Sequence, residues 1–172
     1  MAEQKKIPIT RISRFFGSED FNLEQSMGME WLHGDMNFIL VLFRVDRKET
    51  DVDDVYGEAG KEEIRYKAPV EIKGYVDIAE AQNKSYASGL VNQMEPGNMT
   101  LNVYIKHLNE LGVDISYGDY IGYPETETTM RYYVVTNDGR VTSDMKHSIG
   151  GYKAFYRTIL CSFVNENEFK GI

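Results

Sequence analysis

The sequence predicts a mainly β protein: an antiparallel β-barrel preceded by an N-terminal helical arm. Two observations carry that expectation. Short segments of alternating apolar and polar residues, rich in β-branched and aromatic side chains, recur between turn signals along most of the chain. Against them stands one clear helical period, Leu23, Met27 and Trp31, spaced by four residues on a single face.

Taken in order, the first segment is "RISRFFGSEDF", where Phe15 and Phe16 stand side by side in a polar arm. Adjacent aromatics in such a setting dock on something, either the chain's own core or a partner. "NLEQSMGMEWLHG" reads as a helix over 22–34, with Asn22 as its cap, Gln25 three residues on, and Gly34 as its stop. Gly28 inside it costs about 1 kcal/mol relative to alanine. "MNFILVLFRVDR" has the composition of a long strand.

Beyond the acidic stretch 51–63, "EIRYKAPVEIKGYVDI" alternates around Pro69, which suggests an edge strand or a bulge. "AQNKSYASGLVNQMEPGN" reads as a loop or loose hairpin, "MTLNVYIK" as a strand, and "HLNELGVDI" as a single helical turn. "GDYIGY" and "MRYYVVTNDGRV" form a hairpin pair, with Asn137-Asp138-Gly139 a strong turn signal. "GYKAFYRTILCSFV" supplies a final long strand and "NENEFKGI" a polar tail. The expected division is an arm with helix and first strand over 1–50, a linker over 51–63, and the barrel over 64–172.

A chain of 172 residues holds one domain with its own core and room for an arm. Its 42% hydrophobic and 27% charged content is that of an ordinary globular protein. A net charge of −8 argues against gripping nucleic acid over a broad face, although an acidic wall lets a polyanion slide past. The single Cys161 excludes an intrachain disulfide and suits a reducing compartment. No run approaches the roughly 18 apolar residues of a membrane span, and "MAEQKKIPIT" lacks an apolar signal core, so a cytosolic product is expected.

No stretch carries a catalytic signature. Gly57 and Gly60 in "YGEAGKEE" superficially match a phosphate loop, but Lys61 is followed by Glu62 rather than Ser or Thr, and Asp51, Asp53, Asp54 and Glu58 would repel phosphate. His33, His107 and His147 lack ligand-like spacing, so a metal site would need convergence in space; His33 suits the C-terminal end of a helix dipole. Cys161 lies in an apolar strand, where thiols are inert. The tyrosines at 117, 120, 123, 132, 133, 152 and 156 fit a core or an interface better than a stacking site. No enzyme activity, cofactor or metal is expected.

The order "NLEQSMGMEW", "LFRVDR", "DVDDVYGEA", "YKAPVEIKGYVD" resembles the neck proteins of contractile-tailed bacteriophages. The places of that pattern are taken by Glu24, Gln25 and Glu30, by Arg47, by Asp54, Tyr56, Gly57 and Glu58, and by Tyr66 and Glu71. "DISYGDYIGY" with "RYYVVTNDG", and the closing "GYKAFYRTILCSFV", are similar to the hairpin and last strand of phage head-closure (head-completion, or stopper) barrels. The likeness runs over roughly 15–165. The chain departs from it at Asp46, where the family usually has proline, and over 86–97, which has no counterpart.

The resemblance implies a non-enzymatic virion protein of the neck, made in the bacterial cytoplasm. It implies a homo-oligomeric ring, six copies first and twelve second, below the portal. There it would close the DNA-filled head, contact portal or adaptor proteins above and the tail terminator below, and let genomic DNA pass non-specifically. Phe15, Phe16, Leu23, Met27, Trp31, Arg47, Tyr56 and Glu58 are the expected interface residues. Two other readings stand beside it: a tail terminator or other connector ring, and, from another class, a small-ligand-binding β-barrel or enzyme. The last would be a compact monomer or dimer with one deep pocket, whereas a ring protein should carry apolar groups its own barrel leaves uncovered.

Overall fold

Helix α1 spans Ser18–Trp31 in the computed structural model, which describes residues 17–50, 64–86, 91–95, 97–140, 154–165 and 169. It begins before Asn22. Gly17 is the cap, and its backbone N–H donates to Asp20 Oδ2 at 2.7 Å, while Glu19 and Asp20 sit in the first turn, where the dipole favours acids. Nor does it end at Gly34. The chain continues through a π-helical turn, Leu32–Met36, and stops at Asn37, which takes the left-handed conformation (φ 39°, ψ 34°) and donates its N–H to Leu32 O at 3.0 Å. Asparagine is among the few residues that adopt this conformation at low cost.

Gly28 has a packing reason. A Cβ there would lie 2.6 Å from the Tyr104 ring, so the glycine is what lets α1 approach the sheet this closely.

The strands are β1 (Ile39–Phe43), β2 (Val70–Lys73), β3 (Tyr75–Ile78), β4 (Gln82–Tyr86), β5 (Val91–Glu95), β6 (Met99–Tyr104), β7 (Tyr120–Pro124), β8 (Met130–Asn137) and β9 (Tyr156–Val164). Helix α2, Ile105–Leu111, follows β6 directly and ends at Gly112. Seven strands form one sheet in the order β2-β1-β7-β8-β9-β6-β3, and β4 and β5 pair separately, which resolves the loop-or-hairpin segment as a hairpin. Every pairing among the described residues is antiparallel. β1, which the sequence division grouped with the arm, lies inside the sheet between β2 and β7.

The two edges of this sheet, β2 and β3, are halves of one strand separated by Gly74. A Cβ at Gly74 would meet Leu101 Cδ1 at 2.6 Å, so the strand bends there against β6. The sheet therefore turns back on itself, but no pairing among the described residues joins β2 to β3. The ladder is open rather than the closed barrel expected.

Strand alternation sorts the apolar residues onto two faces. Leu40, Leu42, Ile72, Met99, Leu101, Val103, Ile121, Tyr133, Val135 and Ile159 fill the main core, with Leu108 of α2 closing it. Phe43 and Val164 point the other way, into a second cluster with Tyr66, Tyr120 and Tyr132. Phe169 completes that cluster and stacks on Tyr132 with ring centroids 4.1 Å apart. The segment expected to be a polar tail thus contributes a buried aromatic. Among the described residues, no helix is long and apolar enough to cross a membrane.

Candidate functional site

Among the described residues, three places bear on function. The first is the outer face of α1. The helix packs through Met29 and Leu32, which are buried, and through Phe21, whose ring meets Phe155 edge-on at 6.2 Å. That face turns Leu23, Met27 and Trp31 outward, at 58%, 61% and 41% exposure. The four-residue spacing marked a real apolar stripe, but not the stripe that faces the chain's own core. Trp31 rests at a tilt on Tyr75, 6.4 Å between centroids, and the two rim an aromatic groove of about 230 Å³ with Tyr104 and Tyr156.

The second is a histidine cluster where α1's π-turn meets α2. His33 and His107 stand edge to face at 5.2 Å, and Glu110 joins them, with one ligand-type atom from each residue within 4.8 Å of the others. The convergence that the spacing could not show does occur in space. Its chemistry is nonetheless committed elsewhere. The backbone N–H of Lys73 donates to His107 Nε2 at 3.0 Å, so the ring is neutral with its proton on Nδ1, and neither nitrogen offers a metal a lone pair without breaking that bond. Burial, followed by His33, lowers the His107 pKa from its ordinary 6.5. His107 is a structural acceptor for the bend at Gly74.

The third is a cleft of about 570 Å³ between the end of β1 and the loop after α2. Arg44, Arg47, Lys48 and Lys67 line it, together with Asp46, Asp114 and Asp119. Asp119 is buried and accepts the backbone N–H groups of Ser116 (2.7 Å) and Val45 (3.0 Å). Burial raises its pKa, against the opposing pull of those two N–H groups and of Arg47 and Arg44. Asp114 is held by Arg157 Nη2 at 2.9 Å and by Arg140. Asp46 Oδ1 accepts the Lys48 N–H at 3.0 Å.

Of the expected interface residues, Leu23, Met27 and Trp31 share α1. Arg47 lies apart from them in the cleft, whose lining includes no α1 residue, and its Nη2 donates to Tyr117 O at 3.1 Å. Phe15, Phe16, Tyr56 and Glu58 lie outside the described residues, as does the glycine-lysine run of 57–61. Sequence reading passed over Arg44, Lys48 and Lys67. The available signal was the "RVDRK" cluster, a short basic run in an acidic chain.

Cys161 is buried, and burial pushes its thiol up to about 12, so it carries no thiolate at neutral pH. The tyrosines divide between core and surface: Tyr133 is fully buried, Tyr120 and Tyr132 pack in the second cluster, and Tyr117 is 68% exposed. Comparison with models of known protein families gives no match, and comparison with curated proteins gives no significant one.

Proposed function

We propose that the chain is a structural subunit of a ring in the neck of a contractile-tailed phage, below the portal, where it closes the filled head and carries the tail. The observation that supports an assembling protein is the outer face of α1. Leu23 and Met27 are more than half exposed on one helix with Trp31 beside them, and a contiguous exposed apolar stripe marks an interaction site. The resemblance of the motif order over roughly 15–165 supplies the setting. Head-to-tail contacts close into rings when the rotation permits, with six copies the first expectation and twelve the second. A mass measurement on the purified chain tests this: a closed ring is expected, and a monomer at all concentrations overturns it.

The small-ligand reading is favoured by a different observation, the cation-lined cleft at Arg44 and Arg47. That cleft is compatible with a ring subunit as well, so it does not displace the first reading.

A further inference from the structure

The cleft beside β1 has an unusual hydrogen-bond balance. Each of its three carboxylates is already engaged: Asp114 by two arginines, Asp119 by two backbone N–H groups, Asp46 by the Lys48 N–H. Its four cations are less fully committed: Arg44 and Arg47 act on Asp119 only through their charge, and the buried Arg44 Nε has no hydrogen-bond partner among the described residues. Among the described residues, Arg44, Arg47, Lys48 and Lys67 form no ion pair. Arg47 gives Nη2 to Tyr117 O, and among the described residues its other donors have no hydrogen-bond partner. What the cleft offers a visitor is therefore donors and positive charge, in a chain whose net charge is −8.

We infer that this cleft is a binding site for a small phosphate-bearing ligand, held by Arg47, Lys48 and Lys67 with Arg44 behind them. Arginine forks match phosphate oxygens in pairs, and lysines add point charges, so such a set binds oxyanions by charge-assisted hydrogen bonds. Several cations converging on one space suit a multiply charged group better than a single carboxylate. The volume, about 570 Å³, admits a group of nucleotide or polyphosphate size. Duplex DNA is the less suited occupant, because the acidic remainder of the surface repels a long polyanion that a small ligand does not feel. The inference does not depend on the ring reading.

Calorimetric titration of the full chain with inorganic pyrophosphate at low ionic strength tests it, alongside Arg47→Ala and Lys67→Ala. Both side chains are exposed, so neither change should disturb the fold. Lys106→Ala, which removes an exposed charge of α2 outside the cleft lining, is the control. Saturable binding is expected, weakened on the order of tenfold by either cleft substitution and unchanged by the control. No saturable binding, or equal weakening by Lys106→Ala, overturns the site. Salt-sensitive capture of duplex DNA by a chain that ignores pyrophosphate overturns the assignment to a small ligand.

Discussion

The two helices of this protein make opposite use of their side chains. α2 has only 7 residues, yet it buries His107 and Leu108, accepts the Lys73 N–H at the strand bend, and closes with Gly112 in the left-handed conformation. α1 has 14 residues and buries one of them, Met29, before the π-turn buries Leu32. Its Leu23, Met27 and Trp31 face outward. The short helix completes the sheet's core and the long one carries apolar surface beyond what the fold needs. Helix length is thus no guide to what a helix contributes to its own domain; the exposed stripe is the part on which the proposed assembly rests.

The sharpest way to break this contrast is to truncate one residue on each helix. Leu108→Ala empties a site in the main core and should cost about 2–5 kcal/mol, read as a lower midpoint in urea unfolding. Leu23→Ala on the outer face should change the stability of the isolated chain by no more than about 0.5 kcal/mol. Equal losses would mean that α1's outer stripe belongs to the fold after all.

A smaller effect is expected where α1 touches the sheet. Gly28→Ala drives a methyl into the Tyr104 ring and should destabilise by roughly 1–3 kcal/mol. The same substitution in a Tyr104→Ala background should be nearly neutral, or gain from alanine's helix propensity. A full penalty in both backgrounds would place the cause in the helix rather than in the contact.

α2 also predicts a pH response. The folded chain holds His107 below its ordinary pKa of 6.5, mainly by burial, with His33, Glu110 and Lys73 as its charged or titratable neighbours. The unfolded chain therefore takes up this proton first as pH falls. The stabilisation is complete above about 6.5 and is lost as pH drops through the lower folded value. Unfolding free energies between pH 8 and 5 should decline on the acid side, and His107→Asn should flatten that part of the slope. An unchanged slope would assign the response to other groups.

Much of the fold was legible in the sequence because strands with a period of two announce themselves. The positions Met99, Leu101 and Val103 in "MTLNVYIK", and the hairpin ending at Asn137, fall where the alternation puts them. The helix was legible as a helix but not in its facing. Leu23, Met27 and Trp31 recur every four residues, as Phe21, Gln25 and Met29 also do, and periodicity alone does not say which stripe meets the sheet. Gly17 rather than Asn22 caps the helix, because the Asp20 carboxylate three residues on accepts the Gly17 N–H. Phe169 was hidden by its polar neighbours, and its burial is decided by the aromatic cluster at Phe43 and Tyr132 rather than by anything local. The cleft draws on β1's end, on Lys67 and on Asp114 to Asp119, segments far apart in the chain, so only Arg47 of its cations stood out beforehand.

In the ring proposed above, a second copy covers the outer face of α1. Sedimentation of the wild-type chain beside Leu23→Asp, with thermal unfolding of both, tests it most directly. The wild type should assemble with concentration, and the Leu23→Asp chain should stay monomeric with a little-changed melting temperature for the monomer. A wild type that is monomeric throughout, or a variant that assembles as readily, would contradict it.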